Sequence, residues 1–217
     1  MEISIKEVMR YLGYRDAASD ERTSSHIAEL IDLFTAKVAA KSVYGIWDCQ
    51  LASSEVILGG MIVHSQNLTR HLEGCRRAAL LAATLGTEAD TLIRRFSVQD
   101  MEKAVIAQAV CAAMIEAYCD KIESELAQKS EFDGLYPVAR FSPGYGDFDI
   151  VHQKDILNML NSKRIGLTLT EGYMLIPSKS VTAVIGFSPE EKCAAGQYAV
   201  GKCERCADTQ CRFRKAV

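Results

Sequence analysis

Arg140-Phe141-Ser142-Pro143-Gly144-Tyr145-Gly146-Asp147 is the stretch on which the reading of this 217-residue chain turns. A proline with fixed φ and two glycines let a backbone fold tightly and bring its N–H groups close to a ligand, while an arginine offers a planar fork matched to a carboxylate. A tight turn carrying a surface arginine is the plainer reading, and the eight residues alone do not decide between the two. The decision rests on what flanks them.

Downstream, Asp149 to Leu160 suits a helix, and Ile165, Leu167 and Leu169 alternate with Gly166, Thr168 and Thr170 as in a half-buried strand. The apolar runs Tyr173 to Ile176 and Val181 to Phe187 flank Pro177-Ser178-Lys179-Ser180, which predicts a hairpin. Upstream the chain is mainly helical. Ser4-Ile5-Lys6-Glu7 fits a capping box and Gly13 a helix end, framing a helix at about residues 5 to 12. Ile27, Leu30, Ile31, Phe34 and Val38 form a helical core stripe. Gly45 to Trp47 and Val56 to Leu58 read as short strands, Ala78 to Ala83 as a buried strand or helix, and Ser65 to Gly74 as a capped amphipathic helix. A long helix starts near Ser97 or Asp100 and runs towards Ala127, with Ile106, Val110, Met114, Tyr118 and Ile122 along one side. All four prolines lie beyond residue 136, so the composition changes near Ser130 to Tyr136. The fold class is α+β.

Bulk properties narrow the function. Hydrophobic residues make up 48% and charged residues 24%, the balance of a globular protein. A net charge of -3 with mixed signs gives no basic patch for nucleic acid. No apolar run approaches the roughly 20 residues that span a bilayer, and the N-terminus lacks a basic region followed by an apolar stretch, which predicts a cytoplasmic protein.

Taken in order, Arg140-x-x-x-Gly144-Tyr145, a helix, Ile165-Gly166-Leu167-Thr168-Leu169-Thr170-Glu171 and Pro177-Ser178-Lys179-Ser180-Val181 resemble the activation domain of cobalamin-dependent methionine synthase. The similarity is strong from about Arg140 to Phe187 and weaker upstream, where Ala83-Thr84-Leu85-Gly86 before a long helix keeps the family's order. The resemblance implies a mainly helical N-terminal half with a twisted antiparallel sheet, residues 1–190 forming one activation-domain-like domain, whereas residues 191–217 form a cysteine-rich tail that the family's activation domains lack. It implies S-adenosylmethionine binding through Arg140, Pro143, Gly144, Tyr145, Gly146, Asp147 and Glu171, with Arg140 on the methionine carboxylate and Tyr145 near the ligand or the corrin. Cobalamin would be held by a partner, a methionine synthase-like corrinoid protein. Reactivation would join an electron from a flavin or iron–sulfur donor to methyl transfer from S-adenosylmethionine, placing the chain in a methyltransferase system, either of methionine biosynthesis or of another corrinoid-dependent pathway. Two positions depart from the pattern. The family's alanine-cysteine-proline after the tyrosine is Gly146-Asp147-Phe148-Asp149 here, and its aromatic residue before the proline is Ile176. Asp147 brings a new charge, suited either to a sulfonium or amino group or to capping of the loop. The upstream acidic residues that hold the ligand's amino group have no evident counterpart.

Two further signals are of cysteine and histidine. His71-Leu72-Glu73-Gly74 overlaps the Asp-x-His-x-x-Gly signature of corrinoid-binding modules, but Thr69 stands at the Asp position, and the histidine reads as structural. Cys193-x9-Cys203-x2-Cys206-x4-Cys211 supplies four thiols in a tail with Gly196 and Gly201. Such a set serves tetrahedral zinc or an iron–sulfur cluster, or remains free thiols. A second function follows from it: a non-catalytic docking or electron-transfer protein that uses a cysteine-ligated site.

Overall fold

The computed structural model describes residues 3–14, 21–131 and 134–189. Its organising element is strand β4 (Arg77–Thr84), whose residues from Ala78 to Thr84 are all buried. Strand β1 (Lys41–Ala52) pairs with it on one side and β8 (Ser180–Ser188) on the other, both antiparallel over eight residues. β2 (Glu55–Leu58) and β3 (Met61–His64) extend the sheet beyond β1, and β5 (Tyr136–Pro137) flanks β8, giving the order β3-β2-β1-β4-β8-β5. A continuous apolar run is what a central strand covered on both faces requires. Ala79, Leu81 and Ala83 face a core built with helices α1 (Ile5–Tyr11), α2 (Glu21–Lys37), α4 (Thr87–Gln99) and α5 (Met101–Glu131). Ala78, Leu80 and Ala82 face a second core shared with α3 (Gln66–His71), α6 (Gln153–Met159) and Phe148. Burying each of Leu80 and Leu81 stabilises the sandwich by about 1.5–3 kcal/mol. The sheet crosses the composition change near residues 130–136, because β8 inserts beside β4 along its full length.

Several elements differ from the sequence reading. A separate helix, α4, precedes α5, where the pattern shows only one long helix. Asp100 takes an extended backbone (φ -158°, ψ 99°), ends α4, and its carboxylate accepts the Lys103 N–H at 3.1 Å to start α5. The capping box at Ser4-Ile5-Lys6-Glu7 does not form. Ser4 makes no side-chain capping bond, and Glu7 turns to Arg10, whose guanidinium Nε donates to it at 3.2 Å. The strand expected through Ile165, Leu167 and Leu169 shrinks to β6 (Thr168–Leu169), because Ser162–Ile165 winds into a 3-10 turn closed by Ser162 Oγ on Leu167 O. The hairpin around Pro177 to Ser180 is absent as well. β7 (Leu175–Ile176) pairs with β6, while the turn is fastened to α4 by Asp90, which accepts from Ser178 N at 2.8 Å and from Ser178 Oγ at 2.5 Å. That anchor frees β8 to pair with β4 instead. No helix among the described residues is long and apolar enough to cross a membrane.

Candidate functional site

The Arg140 loop leaves the sheet at β5 and closes on itself. Phe141 forms an isolated bridge to Val184 on β8, and Gly144 N donates to Phe148 O at 2.7 Å. Gly144 and Gly146 have φ of +93° and +57°, the left-handed region that favours glycine. A Cβ on Gly146 would lie 2.5 Å from Asn67 Nδ2, so this glycine also permits close approach to α3. Pro143 and Phe148 are buried beneath the loop, and Tyr145 is left 64% exposed, its ring centroid 6.3 Å from that of Phe141.

Arg140 itself reaches α5. Its Nη1 donates to Asp120 at 2.7 Å and to Glu123 at 2.6 Å, and its Nη2 donates to Glu116 at 2.5 Å. Residues 116, 120 and 123 share one face of α5 because they are four and three positions apart. Burial opposes the guanidinium charge, but Glu123 and Glu116 outweigh it and hold Arg140 above its ordinary pKa. Beside this cluster a cleft of about 300 Å3 opens between α1 and α5, lined by Glu7, Arg10, Tyr11, Glu116, Asp120 and Arg140 among others. Arg10 lies 4.6 Å above the Tyr11 ring, and burial together with Glu116 raises the Tyr11 pKa. Two guanidinium groups thus meet four carboxylates, counting Glu123, and the place has a net negative charge. Chemically it can pair an amino acid's carboxylate with an arginine and its ammonium with a carboxylate.

The profile of the vitamin B12 dependent methionine synthase activation domain matches residues 71–215. The chain belongs to this activation-domain family. Among solved structures it is similar to the crystal structure of the MetH reactivation domain bound to AdoHcy, at 17% identity and a TM-score of 0.62, covering 88% of this chain and 78% of that one. No curated protein matches significantly. The activation-domain match starts well upstream of the Arg140 motif and runs into the tail, across Cys193, Cys203, Cys206 and Cys211.

Within this activation domain the expected site residues divide. Arg140, Pro143, Gly144, Tyr145, Gly146 and Asp147 lie in one loop, of which Arg140 lines the cleft. Asp147 is spent on capping: its carboxylate accepts from Ser65 Oγ at 2.5 Å, Gln66 N at 2.8 Å and Asn67 N at 3.1 Å, and these bonds, Ser65 first, lower its pKa. Glu171 is exposed at the turn between β6 and β7, and no contact among the described residues joins it to Arg140. The acidic partners of Arg140, which the sequence reading does not single out, are Glu116, Asp120 and Glu123 from mid-α5, and Glu7 and Arg10 of the cleft come from α1. His71 is 3% exposed with Nε2 donating to Ala139 O at 2.6 Å, a structural role.

The four tail cysteines lie outside the described residues, and among those described no group of three or more His, Cys, Asp or Glu side chains is arranged to hold a metal. Of the other four thiols, Cys75, Cys111 and Cys119 are buried and Cys49 is half-buried. Burial pushes Cys111 and Cys119 up to about 12 and Cys49 up to about 11. Cys75, Cys111 and Cys119 are therefore expected to resist iodoacetamide at pH 7 until the protein unfolds, as read by mass spectrometry of the alkylated peptides. Labelling of Cys111 in the folded protein at the rate of a free thiol would contradict the packing of α5.

Proposed function

We propose that this chain binds S-adenosylmethionine at the cleft between α1 and α5 and serves the reductive reactivation of a partner's corrinoid, in the manner of its family. The observation that carries the reading is Arg140, brought by its loop to a cleft whose lining also includes the carboxylates Glu7, Glu116 and Asp120. The AdoHcy bound to the similar reactivation domain supports the same class of ligand. Bound S-adenosylmethionine would supply a methyl group to the partner's corrinoid by breaking its sulfonium S–CH3 bond and leaving as S-adenosylhomocysteine, and a separate donor would supply the electron that the reduction consumes.

The chain's own residues account for recognition. Arg140 is satisfied internally, so a ligand carboxylate must displace one of its partners. Asp120 is the readiest to leave, since its side chain is 61% exposed and regains water at little cost. Once released, Asp120 or Glu116 can accept the ligand's ammonium, so the exchange replaces one charge-assisted pair by two. The residual negative charge of Glu7, Glu116, Asp120 and Glu123 favours a cationic sulfonium over a neutral thioether. Tyr145, exposed in the same loop five residues after Arg140, is the side chain we assign to contact with a docking partner.

Calorimetry of the purified chain tests the reading: S-adenosylmethionine should bind with a dissociation constant below millimolar, and more tightly than S-adenosylhomocysteine. Absence of binding at millimolar ligand, with and without a corrinoid protein, would refute it. The tail cysteines belong to the same proposal as the site of a zinc ion or iron–sulfur cluster in a reducing, cytoplasmic setting, the latter able to pass an electron towards the corrinoid.

A further inference from the structure

The Arg140 loop is tied at both ends to one short helix. Immediately before Arg140, His71 at the C-terminal end of α3 donates from Nε2 to Ala139 O at 2.6 Å. After Tyr145, the Asp147 carboxylate takes three donors at the start of the same helix, from Ser65 Oγ, Gln66 N and Asn67 N. Ser65 serves twice, because its Oγ also accepts from Leu68 N at 2.9 Å and so caps α3 while donating to Asp147. Between the two ties Phe141 lies against His71, ring centroids 4.9 Å apart, and stacks on Phe148 at 6.3 Å. The helix cannot shift easily, since Leu68 and Leu72 are fully buried in the second core. Arg140 and Tyr145 therefore sit on a span whose two ends are referred to one rigid element.

We propose that His71 and Asp147 are positioning residues that act through α3 to fix Arg140 and Tyr145 relative to each other, and so set the ligand affinity of the site. The proposal rests on the S-adenosylmethionine reading and adds to it a brace between the loop and α3. A loop that spends only a fraction of its time in the competent shape binds more weakly by that fraction, which is how the brace acts on affinity without touching the ligand.

The experiment compares wild type with Asp147→Ala, Asp147→Asn and His71→Phe by three measurements: S-adenosylmethionine affinity by calorimetry, melting temperature, and amide hydrogen exchange of residues 140–148. In Asp147→Ala, exchange at Gly144 and Phe148 should quicken by about tenfold, affinity should fall by about tenfold, and the melting temperature should stay within a few degrees. Asp147→Asn should recover part of the affinity, because its amide oxygen still accepts from Ser65. His71→Phe keeps the ring packing, loses the bond to Ala139, and should change in the same direction. Wild-type affinity in Asp147→Ala, whatever its exchange, overturns the positioning role, as does acceleration spread evenly over the whole chain with a matching loss of melting temperature. Failure of the wild type to bind S-adenosylmethionine refutes the functional reading instead. The exchange of residues 140–148 then still decides whether Asp147 orders the loop.

Discussion

Arg140→Ala is expected to weaken S-adenosylmethionine binding by about 1.5–3 kcal/mol, the range for losing hydrogen bonds to a charged group, or roughly 10- to 150-fold in dissociation constant. A surface arginine met only by ligand would leave stability untouched. Here removal strands Glu116, Asp120 and Glu123 on one face of α5 without their shared cation. Breaking a fully buried pair costs about 3–5 kcal/mol. These side chains keep 40%, 61% and 24% of their exposure, so water compensates part of the loss and about 1–2 kcal/mol is the expected destabilisation. Two losses in one variant are ambiguous until separated. Adding Glu123→Gln removes the least exposed of the stranded charges and leaves Glu116 and Asp120 for the ligand's ammonium, so this double variant should regain part of the melting temperature while still failing to bind. A double variant with wild-type affinity would make Arg140 a purely structural residue and end the assignment of the cleft.

The cluster shows what can be read from a chain and what cannot. The apolar side of α5, through Ile106, Val110, Met114, Tyr118 and Ile122, is legible from its period, and its acidic complement at 116, 120 and 123 is written in the same helix. Nothing local says that this complement meets Arg140. The three partners precede Arg140 by 24, 20 and 17 residues, and β5 with its turn must fold back to bring them together. Asp147 is the sharper case, since its partners at Ser65, Gln66 and Asn67 lie 80 to 82 residues away. In sequence, ligand attraction and capping are equally good readings of a carboxylate in a loop, and only the approach of the α3 N-terminus separates them.

For the fold the same division holds. Ala78 to Ala83 carries no period because both faces of β4 are covered, and a two-sided strand and a buried helix look alike in sequence. Pairing with β1 and β8 settles it. The chemistry of Pro177 to Ser180 marks a turn, and a turn is there, yet a turn between two apolar runs does not oblige them to pair. Asp90 on α4 holds this one by its Ser178 backbone and hydroxyl, and β8 takes β4 as its neighbour. Long-range contacts, rather than weak local signals, account for these differences.

Anaerobically purified protein is expected to carry about one zinc ion, or one iron–sulfur cluster visible as a brown chromophore, for each chain, with Cys193, Cys203, Cys206 and Cys211 as ligands. Four thiolates meet the coordination demand of either centre, and the spacing of nine, two and four residues is short enough for one site. Lys192, Lys202, Arg205, Arg212, Arg214 and Lys215 offset the negative charge that four thiolates bring. The family match extends to residue 215 and so includes all four cysteines. Cys206→Ser should release the metal, measured by elemental analysis, while S-adenosylmethionine affinity and the melting temperature stay at wild-type values, because Arg140 is held by Glu116, Asp120 and Glu123 of α5. Oxygen should convert a cluster into oxidised thiols, so aerobic and anaerobic preparations differ if iron is the metal and agree if it is zinc. Metal-free anaerobic protein with four freely titrating tail thiols would refute the site, and any electron reaching the corrinoid would then have to come from another protein.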